Sequence, residues 1–349
     1  MNAGYHQCNK TSYRHLDRFF KDYRAAQGYI PMRKKQISRR SFLNGIGLIM
    51  AGMSTRQNAA NSRELQDQGS PAEKSTKKIG IALGGGGAKA LAHIPMLEAL
   101  DELGVKPHLI TGCSMGAVIG ALYASGLSGS DIRHFIDNLV ATKNESWPEA
   151  LIHKDILEWI KFIDPELGAG GLIDGENFIQ YLHKEIQVKY FSELKIPLRI
   201  VAADFWEREQ VILDQGKLLP AIKASMTFPG LFVPAKMDGR ILMDGGLVNP
   251  VPYDLLLGEC DITIAVDVTG SIPVPADSQP SFFDSIFNSI HIMQETIIKE
   301  KLKNRQPDIF IRPAINGIRM LEFYKAKTVY RQAAPAKDDL KRALENLLS

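Results

Sequence analysis

The sequence predicts an α/β protein with a mostly parallel central sheet covered by helices on both faces, a three-layer α/β/α arrangement. Three observations predict it. Short apolar runs of strand length recur at 79–83, 109–111, 198–203 and 262–266. Stretches with apolar residues at helical spacing lie between them. Glycine-rich turns join strand to helix at 84–87 and again at 112–116.

The elements follow in order. The run 79–83 enters Gly84-Gly85-Gly86-Gly87 directly. Leu91, Ile94, Leu97, Ala99 and Leu100 then recur at roughly helical spacing and predict a helix over 88–103, with Pro95 as an expected kink. A second short strand at 109–111 leads into Gly112-Cys113-Ser114-Met115-Gly116 and an apolar helix over 117–124. Residues 145–175, with Trp147, Pro148, Trp159, Pro165 and several glycines, predict an irregular cap. From Phe282 onward the chain reads as mainly helical, and no internal repeat is present.

Composition excludes several classes. The 349 residues are 45% apolar and 23% charged, as in an ordinary globular protein. The net charge of +3 is unevenly spread. Residues 1–60 hold 11 Lys and Arg against Asp17 and Asp22, leaving 31 basic and 37 acidic residues, a balance of −6, for the rest. The basic character belongs to the leader, so the main domain offers no electrostatic footprint for nucleic acid. No run of about 18 apolar residues marks a membrane span. Cys8, Cys113 and Cys260 form neither a disulfide framework nor a metal pattern, and no metal or organic cofactor is expected.

The chain divides into a signal region at 1–60, a polar linker at 61–77 and a main domain at 78–349. Ser38-Arg39-Arg40-Ser41-Phe42-Leu43 stands directly before a short apolar run at 45–53, the form of a twin-arginine export signal. The expectation is translation from Met32, removal of residues up to about Ala60, and a periplasmic or otherwise exported domain. The competing account is a cytoplasmic enzyme whose basic tail touches anionic lipid.

Three segments carry chemistry. Gly112-Cys113-Ser114-Met115-Gly116 has the G-x-S-x-G pattern, and its strand–turn–helix setting forces the serine into a tight elbow that Gly112 and Gly116 make room for. The helix after it presents free N–H groups where negative charge would develop. Gly84 to Gly87, followed by Ala88-Lys89-Ala90, leaves backbone N–H groups exposed before a helix. It matches neither a Walker loop nor a G-x-G-x-x-G dinucleotide turn, and an oxyanion hole is the remaining use that suits a serine nucleophile. Asp244, in Ile241-Leu242-Met243-Asp244-Gly245-Gly246, ends an apolar strand on a tight turn, the placement a general base needs. His93 reads as a packed structural residue. Asp204 and Asp267 end apolar strands without an evident task.

These segments, in this order, resemble the patatin-like phospholipase family over roughly residues 78–330. The stretch Lys223 to Pro252, the Gly171-Leu172-Ile173-Asp174-Gly175 motif and the run Ile196 to Phe205 are similar as well. The resemblance implies Ser114 as nucleophile and Asp244 as its partner in a Ser-Asp dyad. It places the N–H groups of Gly85, Gly86 and Gly87 in the oxyanion hole, with Lys89 as the basic residue beside them. It implies hydrolysis of acyl esters of phospholipids or related lipids through an acyl-enzyme, at a membrane surface. Ala90 stands where the family usually has glycine, and Gly246 where alanine is commoner.

Two other readings remain. An α/β-hydrolase esterase would complete a Ser-Asp-His triad with His291, the one histidine after Asp244. A non-catalytic lipid-binding or regulatory protein would have a degraded site, with the Ala90 methyl as its main support.

Overall fold

The computed structural model describes residues 77–144, 176–270 and 282–349. The signal region, nearly all of the linker, the cap at 145–175 and the Gly171–Gly175 motif lie outside the described residues.

Among the described residues, eight strands form one sheet: β1 (Ile79–Leu83), β2 (Leu109–Cys113), β3 (Leu198–Asp204), β4 (Gln210–Leu213), β5 (Ala235–Met237), β6 (Arg240–Asp244), β7 (Ile262–Val266) and β8 (Ile309–Ile311). The series β3, β2, β1, β7, β8 is parallel throughout, while β4, β6 and β5 add antiparallel pairings around β3. The sheet is therefore mixed, with a parallel core as expected. One detail differs from the sequence reading. Strands β4 and β5 are additional, each short and half-exposed, with only Val211-Ile212-Leu213 as apolar run in β4 and Ala235-Lys236-Met237 in β5. The region after Phe282 is mainly helical as expected, and Ile309–Ile311 within it extends the parallel core beside β7.

The strands of the parallel core are buried on both faces, which is why they read as unbroken apolar runs. The helices are α1 (His93–Glu102), α2 (Met115–Ser125), α3 (Gly129–Asn144), α4 (Glu176–Ile186), α5 (Leu218–Ser225), α6 (Phe282–Asn304) and α7 (Ala326–Leu348). Alternate residues sort the core into two faces. Ile79, Ile81, Leu83, Ile264 and Val266 pack with residues of α1, α2, α3, α4 and α7. Ala82, Leu109 and Ala265 pack instead with Ile298 of α6 and with Val251, Tyr253 and Leu256. These are the two helical layers around the sheet.

Pro95 causes no break. Residues Gly87–Ala92 form a 3-10 turn and the α-helix proper begins at His93, so Pro95 falls in its first turn, where its missing N–H has no intrahelical acceptor to lose.

The register of β3 positions the site. Ile200 and Val201 pair with β2 on one edge and β4 on the other; Ala202 and Ala203 pair with β4 and β6. A strand has two edges, so β2 and β6 share one. They run in opposite directions along it and meet end to end, with Cys113 opposite Val201 and Asp244 opposite Ala202. Ser114, just after β2, and Asp244, the last residue of β6, are brought together there.

Candidate active site

Ser114 lies between β2 and α2 with φ 53° and ψ −128°, a positive-φ backbone conformation that few non-glycine residues adopt. Both flanking glycines are required by close approach. A Cβ on Gly112 would stand 2.7 Å from Ala117 Cα, and one on Gly116 would stand 2.1 Å from the Leu83 carbonyl oxygen. The sharp turn leaves Ser114 half-buried among buried neighbours. The Ser114 carbonyl accepts from the N–H groups of Ala117 and Val118, and α2 starts with its first-turn N–H groups beside the serine.

The Ser114 hydroxyl donates to Asp244 Oδ2 at 2.7 Å. The other carboxylate oxygen accepts from the Gly246 N–H at 2.7 Å, with the Cys113 thiol at 3.9 Å. Asp244 is almost fully buried. Burial raises its carboxyl to about 6, against the hydrogen bonds from Ser114, Gly246 and Cys113, which favour the anion. Burial and the nearby Asp244 carboxylate push the Cys113 thiol well up, consistent with a small buried side chain. Gly245 sits where any side chain would strike β3, its Cβ position being 2.1 Å from the Val201 carbonyl oxygen.

The glycine-rich loop lies directly against the serine: a Cβ on Gly85 would stand 3.2 Å from Ser114 Cβ. Its backbone is held on several sides. Gly84 N–H donates to Val266 O and Gly85 N–H to Pro250 O, both at 3.0 Å. Ala88 N–H donates to Met320 O at 2.7 Å. This corrects the allotment of three loop amides to an oxyanion hole, because the Gly85 N–H is already committed to the segment after Asp244. The N–H groups of Gly86 and Gly87 have no protein acceptor among the described residues.

Lys89 is corrected too. Its ammonium donates to the carbonyls of Thr269 and Gly270, at 2.7 and 3.1 Å, so it ties the loop to the segment after β7 instead of presenting charge to the serine. Burial lowers it to about 8, opposed by Asp267. Asp267 in turn accepts from the Thr269 N–H and from Arg312. Asp204 builds a turn, its carboxylate accepting from the N–H groups of Trp206 and Glu207 at 3.0 Å each. Ala90 is fully buried within the main core, where its methyl fills space.

His291 and His93 each bond to a backbone carbonyl and not to Ser114 or Asp244. His291 Nε2 bonds to the Gly270 carbonyl at 2.9 Å, which gives no support to a triad. His93 Nε2 donates to the Gly84 carbonyl at 2.7 Å, and burial lowers its ring to about 4, so it is a neutral pin for the loop.

One participant carried no motif. Ser225, the last residue of α5, is fully buried and bonds to the Ser114 backbone. Its only sequence signal was its place in the family-like stretch from Lys223.

The patatin-like phospholipase family model matches residues 81–257, which include the loop, the elbow and Asp244. An uncharacterized NTE family protein of Mycobacterium tuberculosis is 34% identical over 209 residues, covering 59% of this chain and 54% of that protein. The human patatin-like phospholipase domain-containing protein 6 is 32% identical over 193 residues, covering 54% of this chain and 13% of its own length. The chain thus spans about half the length of the mycobacterial relative and a small part of the human one. Among solved structures, VipD from Legionella pneumophila aligns at a TM-score of 0.41 and 15% identity, covering 75% of this chain and 67% of that one. With the family match extending over half of its length, the chain belongs to the patatin-like phospholipase family.

Proposed function

We propose that this protein is a serine hydrolase of lipid acyl esters, working through a Ser114–Asp244 dyad. The observation that carries the reading is the 2.7 Å hydrogen bond from a strained, partly exposed serine to a buried carboxylate at the end of a neighbouring strand. Family membership supports the lipid substrate class.

In this reading Asp244 takes the hydroxyl proton as Ser114 Oγ attacks the ester carbonyl carbon. A carboxylate raised to about 6 is largely ionised at neutral pH yet basic enough to accept that proton. The oxyanion that forms is met by the Gly86 and Gly87 N–H groups and by the positive end of α2. Protonated Asp244 gives its proton to the departing alcohol, leaving an acyl-serine. Water then attacks the acyl carbon, Asp244 takes its proton, and the carboxylic acid leaves as that proton returns to Ser114.

The proposed place of work is a membrane surface. Supporting it, the turn after β3 is held by Asp204 yet exposes Trp206 at 64% and Phe205 at 47%, an aromatic pair whose indole N–H suits it to a lipid interface. Export through the twin-arginine route is part of the same proposal and rests on residues 38–53. Release of fatty acid from phospholipid vesicles and from soluble short-chain esters tests the activity. Wild type releases acid and Ser114→Ala does not; equal release by both contradicts the reading.

A further inference from the structure

Where β2 and β6 meet end to end, two backbone groups lose their sheet partners. The Ser114 N–H follows the last paired residue of β2, and the Val201 carbonyl of β3 faces the junction, where Gly245 leaves no side chain. Buried and unpaired, each would be costly. One side chain serves both. Ser225 Oγ accepts from the Ser114 N–H at 2.8 Å and donates to the Val201 carbonyl at 2.6 Å. A hydroxyl can do both at once, and alanine can do neither.

The bridge is made to the residue held at φ 53°, and it runs from the sheet to the backbone of the candidate nucleophile itself. Ser225 is fully buried, so water cannot replace it without a cavity. We propose that Ser225 is a positioning residue for the reaction: its hydroxyl locks the strained elbow to β3 and so sets the Ser114 hydroxyl on Asp244. The proposal rests on the dyad reading. It has a further consequence. With its N–H spent on Ser225, Ser114 contributes no backbone donor to the oxyanion, which is left to the glycine loop and α2.

Two readouts separate positioning from bulk stability. The first is the acid limb of the pH profile. Asp244 is faced by the Ser114 hydroxyl, the Gly246 N–H and the Cys113 thiol; Lys301 of α6 acts on that thiol. The bond from Ser114 favours the carboxylate, so an elbow that drifts weakens it and moves the limb to higher pH. The second is hydrogen exchange at the Ser114 amide, which needs no activity.

The experiment compares wild type, Ser225→Ala and Ser225→Thr, each shown folded by thermal melting, with Ser114→Ala as the control for the dyad. For Ser225→Ala, kcat falls about 10- to 100-fold with KM little changed, as for a misplaced reacting group. Its acid limb rises, the Ser114 amide exchanges faster, and Ser225→Thr, which keeps the hydroxyl, recovers most of kcat and amide protection. Amide exchange unchanged in a folded Ser225→Ala protein overturns the bridge. A folded alanine variant with kcat within twofold of wild type, or with an unmoved acid limb, overturns the positioning role. Full activity in Ser114→Ala overturns the dyad reading instead, and the amide exchange still reports on the bridge.

Discussion

Asp244 and Ser114 are hydrogen-bonded at 2.7 Å although 130 positions apart, because the strands that deliver them end head to head on one edge of β3. Neither residue depends on a flexible loop for its place. Ser114 follows the buried strand β2 and Asp244 is the last residue of β6, and the turn after each is forced by glycines whose Cβ positions would strike a neighbouring carbonyl. A pair set on rigid elements is what proton transfer requires.

The burial of Asp244 links activity to pH. Its carboxyl must be ionised to act as base, so kcat/KM falls on the acid side with a midpoint near pH 6. A bell or plateau whose acid limb lies near pH 4 would show an exposed, ordinary carboxylate.

The same burial links to stability with the opposite sense. The folded state holds the Asp244 proton more tightly than the unfolded chain does. Its stabilising contribution is therefore full below about pH 4 and is lost as pH rises through about 6. Asp244→Asn removes the buried charge and keeps an oxygen for the Gly246 N–H. It is expected to melt a few degrees above wild type at pH 8 and at about the same temperature near pH 4, while having almost no activity. Thermal melts across pH check this, and a variant less stable than wild type at pH 8 contradicts it.

His291 anchors Gly270 and nothing in the dyad. His291→Ala is expected to keep kcat within about threefold of wild type, with a loss of about 1 kcal/mol in unfolding free energy for the lost hydrogen bond. Steady-state kinetics on the folded variant decide it. A loss as deep as that of Ser114→Ala would mean a triad.

Gly116→Ala probes the elbow. The added methyl would meet the backbone of β1, which cannot move without disturbing the centre of the sheet. The expected cost is about 3 kcal/mol or more by denaturant unfolding, with activity lost alongside. A substitution tolerated within about 0.5 kcal/mol would show the elbow to be looser than drawn.

The leader can be tested separately. Export through the twin-arginine route predicts a mature N-terminus near residue 60, found outside the cytoplasm, and accumulation of precursor when Arg39 and Arg40 become lysine. An uncut cytoplasmic protein indifferent to that change contradicts it.

Much of this was legible in the sequence, for physical reasons. Strands β1 and β7 are buried on both faces, so their apolar runs matched the structure residue for residue. The elbow was legible because a sharp strand-to-helix turn admits so few residue types around Ser114. Strands β4 and β5 escaped because short, half-exposed strands leave little apolar pattern, Val211-Ile212-Leu213 in β4 and Ala235-Lys236-Met237 in β5. The Gly85 amide was misassigned because its acceptor, Pro250, lies far along the chain and only folding brings the two together. Lys89 was read as an active-site charge since its carbonyl partners are backbone and leave no trace in side-chain pattern. Ser225 was invisible as a participant for a related reason: its role depends on two strands meeting end to end, which no local pattern encodes.

The central claim is that Ser114 is a nucleophile activated by Asp244. The most direct measurement is reaction with a fluorophosphonate followed by mass spectrometry of the peptides. The account predicts a single adduct on Ser114 in wild type, none in Ser114→Ala, and a rate in Asp244→Asn reduced by on the order of 10³-fold or more. An adduct on another residue, or an Asp244→Asn protein labelled at the wild-type rate, would contradict it.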